Sequence, residues 1–234
     1  MSSILSLALL QLPGLDAPDL TWQEQAVEIW EGGGFMMWPL ALAFVVGMVV
    51  IIWKLVDLTS KSARTRRTLR TVDGLVAEGR IAEAVQEAET SNTPAGRILA
   101  EGLRRHEEGT ERVVKAIENA GMIEMAKLEK GLVVLATVST VGPLLGFLGT
   151  VIGMIQAFQA IELAGEVEAT TVAGGIKVAL ITTACGLAIA IPVSIAHNYF
   201  VAKIDRLVID MEESAQRTID HLHNMEVRRN AGVR

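Results

Sequence analysis

The sequence predicts an all-α integral membrane protein. It has three transmembrane helices, two of them extended into the cytoplasm, plus a small cytoplasmic helical domain. Three observations lead there. Half of the 234 residues are apolar, and they gather in three long blocks instead of spreading through the chain. The 21 Lys and Arg residues are segregated: none precedes Lys54, and all but Lys177 fall in 54–130 or 203–234. No strand is indicated anywhere. The net charge of −6 says less than this distribution. Cys185 is the single cysteine and lies inside an apolar block, which excludes a disulfide framework and a thiolate metal site.

Residues 1–34 form an N-terminal extracytoplasmic, interfacial segment. Its opening SSILSLALLQL is apolar enough for a signal peptide but lacks the basic n-region. It reads as an uncleaved stretch lying in the interface. In DAPDLTWQEQAVEIW, Trp22, Ala26, Ile29 and Trp30 fall near one helical face, with Gln23, Glu24 and Glu28 largely opposite. That is a short amphipathic helix with its indoles at headgroup depth, broken by Gly32, Gly33 and Gly34. Transmembrane helix 1 covers 35–56. Pro39 comes early in it, where a missing amide donor costs little.

Residues 57–130 make the cytoplasmic helical domain. It begins with Lys61, Arg64, Arg66, Arg67 and Arg70, a solvated face near anionic lipid headgroups and not a nucleic-acid patch. A helix over 61–78 ends at Gly79, and a second covers 80–90. Thr93 as N-cap and Pro94 at the first helical position open a third, to about Glu108. A fourth starts at Thr110 with Val113, Val114, Ile117, Met122 and Met125 as apolar positions, and is expected to run on into the second span.

Transmembrane helix 2 covers 131–161, a run without charge. At the usual rise it is about 46 Å long, more than a bilayer's hydrocarbon core of about 30 Å. A periplasmic turn at 162–171 carries Glu162, Glu166 and Glu168. Transmembrane helix 3 covers 172–202, and 203–234 continue it as a charged C-terminal helix with Ile204, Leu207, Val208, Met211 and Ala215 at helical spacing. The basic segments belong inside by the positive-inside rule, so the N-terminus and the 162–171 turn are expected outside.

The two later spans carry matching stripes. Ser139, Pro143, Gly146, Thr150, Gly153 and Ala157 lie within about 40° of a common direction at 3.6 residues per turn. On the third span the stripe is Ala179, Thr183, Gly186, Ala190, Ser194 and, less closely, His197. Small residues let membrane helices approach closely, so the pair makes either a tight seam or the wall of a polar path. The residues alone leave both open. Residues 131–161 hold no titratable group. In 172–202 only Lys177 and His197 could titrate, apart from Cys185 and Tyr199, and both sit towards the ends. Lys177 is an interfacial or pore-mouth charge, free to snorkel or to pair with Glu166 or Glu168. Hydroxyls orient water or an ion but carry no net charge, so a proton relay would need a carboxylate from another chain.

The run GPLLGFLGTVIGMIQAF, with its G-x-x-G-T-V-x-G-M/I pattern, resembles the second transmembrane helix of the MotA/TolQ/ExbB proton-channel family. The third span, from Gly175-Ile176 through Thr182-Thr183 to Gly186-Leu187 and a following A-I-P, resembles the third helix of the ExbB/TolQ branch. GGGFMMWPLALAFVV is similar to the first. The likeness covers roughly 32–58 and 128–205. It implies a bacterial inner-membrane homopentamer around a pore holding two copies of a single-span ExbD/TolR-like protein with an intramembrane Asp. A TonB-like or other envelope-spanning protein would follow, and the transported ion would be H⁺, with Na⁺ used in related stators. Thr150 and Thr183 match the family's pore-facing threonines, with Ser139, Gly146, Gly153, Ala179, Gly186 and Ser194 along the same path. Many relatives carry a glutamate where this chain has Val178, which departs from the pattern beside Lys177.

The alternative is a structural scaffold whose stripes only pack helices. Three spans without an inverted repeat argue against a solute transporter. No nucleophile–base pair, metal cluster or phosphate-binding loop suggests an enzyme, and neither cofactor nor nucleic acid is expected.

Overall fold

The computed structural model describes residues 21–165 and 169–232, which are entirely helix and short connections. The expectations for residues 2–12, Glu166 and Glu168 lie outside the described residues. In chain order the helices are α1 (Trp22–Gly32), a 3₁₀ turn (Gly34–Met36), α2 (Met37–Ala77), α3 (Ile81–Thr90), α4 (Pro94–Leu103), a second 3₁₀ turn (His106–Glu108), α5 (Thr110–Glu129), α6 (Leu132–Ala164) and α7 (Ala169–Gly232). Three of these, α2, α6 and α7, contain stretches long and apolar enough to cross a membrane.

Local chemistry explains the boundaries. Thr21 caps α1 in a capping box, its backbone N–H and hydroxyl both donating to the Glu24 carboxylate. That arrangement holds the Glu24 carboxyl below its ordinary range. Gly34, at φ +62°, turns the chain from α1 towards α2. Thr93 accepts from the Gly96 N–H at 3.1 Å with Pro94 at the first helical position, as the sequence led one to expect. This third helix stops at Leu103, earlier than its expected end near Glu108.

Two expectations need correcting. The first span and the helix of 61–78 are one uninterrupted helix, α2, because nothing between Val56 and Lys61 breaks the i→i−4 ladder. The helix from Thr110 does not run into the second span. It stops at Glu129, Lys130 is extended (ψ 127°), and Gly131 takes φ +93°. The buried Lys54 ammonium donates to the Leu128 carbonyl and, at 2.9 Å, to that of Lys130. It thereby satisfies acceptors that the ended helix leaves free. Side-chain packing is the second cause. A Cβ on residue 131 would stand 3.0 Å from the Trp53 ring.

The chain divides into two compact units. One comprises 1–41 and 143–187, the other 42–142 and 188–234. In the second unit α3, α4 and α5 pack in sequence, burying Ala84, Ala88, most of α4, Val113, Ile117 and Leu128. Met122 and Met125 of the expected apolar face stay exposed. Thr93 links α4 to Thr68 of α2 at 3.3 Å, and Arg97 pairs with the buried Glu124 at 3.1 Å. The lower part of α7 buries Phe200, Ile204, Leu207, Met211, Ala215 and Leu222. It is tied to α2 by Arg66–Asp210 at 3.0 Å and by Asp73, which accepts from Ser214 and Arg217. Higher up in this unit, Gly47 of α2 sits against Val138 and Val193, so α2, α6 and α7 meet at a glycine.

Candidate functional site

The first unit contains the upper parts of α6 and α7, and here the two helices run antiparallel in close contact. Glycine makes the contact possible. A Cβ on Gly146 would lie 2.8 Å from the Thr182 carbonyl oxygen and 3.1 Å from the Thr183 Cα. One on Gly153 would meet the Gly175 oxygen at 2.8 Å, and one on Gly175 the Gly153 oxygen at 2.6 Å. These are backbone atoms, which cannot step aside as a flexible side chain would. The seam is thus Gly146, Gly149, Gly153 and Ala157 on α6 against Gly175, Ala179, Thr182 and Gly186 on α7, all buried.

Thr182 is the residue that the stripe reading missed. It is wholly buried, its side chain fills the space opposite Gly149, and its hydroxyl lies 3.3 Å from the Gly146 carbonyl and 3.0–3.1 Å from the Val178 and Ala179 carbonyls. The signal was present: Gly175, Ala179, Thr182 and Gly186 recur at steps of four, three and four, a better fit to one helical face than the stripe centred on Thr183.

Thr150 and Thr183 stand at the margin of this seam, both half-buried. The Thr150 hydroxyl donates to the Phe147 carbonyl at 2.6 Å. Thr183 donates to Ala179 at 3.0 Å, with the Gly146 carbonyl a longer 3.4 Å away. Each hydroxyl has its one proton engaged by backbone and keeps its acceptor lone pairs. Such a group receives a hydrogen bond from a protonated acid or a water, and has nothing to offer a carboxylate. Of the remaining site residues, Gly146, Gly153, Ala179 and Gly186 are buried in the seam. Ser139 and Ser194 belong to the other unit, both half-buried, with Ser139 donating to Ala136 at 2.8 Å.

Lys177 faces α1. Its ammonium pairs with Glu28 at 2.8 Å, both side chains about half exposed, and a Cβ on Gly32 would press on Ile181 at 2.7 Å. Among the described residues its partner is Glu28; the expected partners Glu166 and Glu168 lie outside them. The Lys177 hydrogen bond and charge hold the Glu28 carboxyl below its usual range. Trp30 and Trp38 meet edge to face at 5.3 Å beside this contact, a geometry aromatic pairs favour. Among the described residues, no group of three or more His, Cys, Asp or Glu could hold a metal ion.

Residues 90–213 match the family model described as the MotA/TolQ/ExbB proton channel family. An ExbB homologue of Methanothermobacter thermautotrophicus, named for biopolymer transport, is 30% identical over 80% of this chain and 67% of its own length. TolQ of the Tol-Pal system of Pseudomonas aeruginosa is 42% identical over 42% of each chain. The biopolymer transport protein ExbB of Xanthomonas campestris is 37% identical over 49% of this chain and 47% of its own. The match thus spans less than half the length of those two relatives. The matched residues include the whole glycine seam and both threonines at its margin: the chain belongs to the MotA/TolQ/ExbB proton channel family.

Proposed function

We propose that this chain is the channel subunit of an inner-membrane, ion-driven motor of the ExbB/TolQ kind. Five copies surround a pore occupied by two single-span ExbD/TolR-like helices, each with an intramembrane aspartate. Proton-motive force is converted into mechanical work without a resident cofactor, and H⁺ is the coupling ion. The N-terminus faces outward; 57–130 and 203–234 face the cytoplasm.

The observation that carries this reading is the pair of half-buried threonines whose hydroxyl protons are already engaged. An aspartic acid brought opposite them finds acceptors only, which favours its protonated form. Where it turns away towards water, it ionises. Neither α6 nor α7 supplies a carboxylate between Leu132 and Ile161 or between Val172 and Ala202, so the charge carrier belongs to the partner.

The burial of Gly146, Gly153, Ala179 and Gly186 in helix contact supports a second reading, a scaffold that packs and conducts nothing. Liposome uptake separates them. Proton entry that requires both this chain and a single-span partner supports the channel, and none under any pairing supports the scaffold. In the conducting assembly, Thr150→Val and Thr183→Val preserve shape and remove the acceptor. Each should cut uptake at least tenfold with the pentamer and partner intact, while Thr→Ser is tolerated. Full activity in both valine variants would move the path elsewhere.

A further inference from the structure

Beyond the seam, the second unit holds a groove of about 340 Å³ where α2 and α7 run side by side. We propose that it binds the phosphate of an anionic phospholipid headgroup at the membrane boundary. Its inner-leaflet assignment rests on the orientation proposed above; the binding itself does not.

Charge is the first argument. Arg66, Lys203 and Arg206 line the groove with a single acid, Asp210. That acid is already bonded to Arg66 at 3.0 Å. Lys203 and Arg206 have no carboxylate partner among the described residues; the Lys203 ammonium instead lies 5.6 Å from the centre of the Tyr199 ring. Two cations are therefore in surplus.

Depth is the second. Residues 178–202 contain no Asp, Glu, Lys or Arg, so Lys203 is the first formal charge after the third span. Tyr199 and Ala202 line the end nearest the membrane, and tyrosine favours headgroup depth. Ser62 adds a hydroxyl on the α2 side. Basic pockets between spanning helices are where headgroup phosphates dock. An acidic peptide would have to follow the helices away from the bilayer, where Arg217 is already held by Asp73 and Glu213. The surplus lies at the membrane end, which favours lipid.

The test uses the full-length protein, stripped of lipid in detergent and titrated with phosphatidylglycerol or phosphatidylcholine under native mass spectrometry. Phosphatidylglycerol should be retained preferentially. Lys203→Gln with Arg206→Gln should lower its retention about fivefold per base removed. Arg112→Gln with Lys115→Gln makes the same charge change on α5, outside the groove, and should leave retention intact, as should Lys203→Arg. Circular dichroism checks the fold; should the double variant unfold, Arg206→Gln alone should show the fivefold loss. Equal loss in both double variants, or equal retention of the two lipids, would overturn the site. Displacement by an equal concentration of inorganic phosphate would overturn the lipid assignment and make it a plain phosphate site. None of these readings depends on ion conduction, so this proposal and the channel fail separately.

Discussion

Lys54 is almost wholly buried, and its hydrogen bonds go to two carbonyls at the end of α5. Lys54→Met keeps most of the apolar stem and abandons both acceptors. The cost should be about 1–3 kcal/mol, read as a lowered midpoint of thermal unfolding in detergent; an unchanged midpoint would show that the break at Lys130 and Gly131 stands without this cap. Glu28 gives a pH prediction. Its folded-state carboxyl is held down by Lys177, so its contribution is complete above the ordinary carboxylate value of about 4.3. It disappears as pH falls through the lower, folded value. Trp30, on the same helix, reports the change. Its fluorescence should stay constant from neutral pH down past the ordinary carboxylate range and shift only below it, whereas in Lys177→Gln the shift should move up into that range. Coincident transitions would mean that the pair is too exposed to matter.

At the scale of helices, the α6–α7 seam is tuned to residues without side chains. Gly146→Ala places a methyl against backbone at 2.8 Å and should cost about 1–3 kcal/mol. Gly74, within α2, has open space where a methyl would point, so Gly74→Ala should instead stabilise by about 0.5–1 kcal/mol. Opposite signs for the same substitution, measured by thermal unfolding, are the expected outcome; equal signs would contradict the close approach. The spans were legible because hydropathy, length and charge all agree over tens of residues. The Thr93-Pro94 helix start was legible because its chemistry is local. The stop at Lys130 was not: it depends on Lys54, far earlier in the chain, and no local pattern announces such a cap. The seam was half legible. A stripe of small residues showed that a face exists, but the choice between Thr182 and Thr183 as its centre turns on which side the neighbouring helix approaches.

For the whole molecule, the apolar surface and the charges pose separate questions. Phe35, Leu42, Val49 and Ile52 on the first span, and Phe147, Ile155, Leu180 and Ile191 on the others, remain exposed in the single chain. Acyl chains or neighbouring copies can cover them equally well, since lipid is as apolar as a leucine face. Native mass spectrometry in mild detergent should show a pentamer, and a stable monomer or dimer would remove the shared pore. The proposed orientation rests on charge. Every base except Lys177 lies in 54–130 or 203–234, and bases close to the ends of a span favour the cytoplasmic side. Lys177 does not upset this, because it is neutralised by Glu28 at the opposite end of the span. Cys185 is the single native thiol, so a Cys185→Ala background lets one introduced cysteine report alone. In that background Ser91→Cys, in the turn after α3, should react with an impermeant maleimide only after the membrane is opened, and Glu166→Cys should react in intact cells. The reverse pattern would invert the molecule and carry the Lys203 groove to the outer leaflet with it.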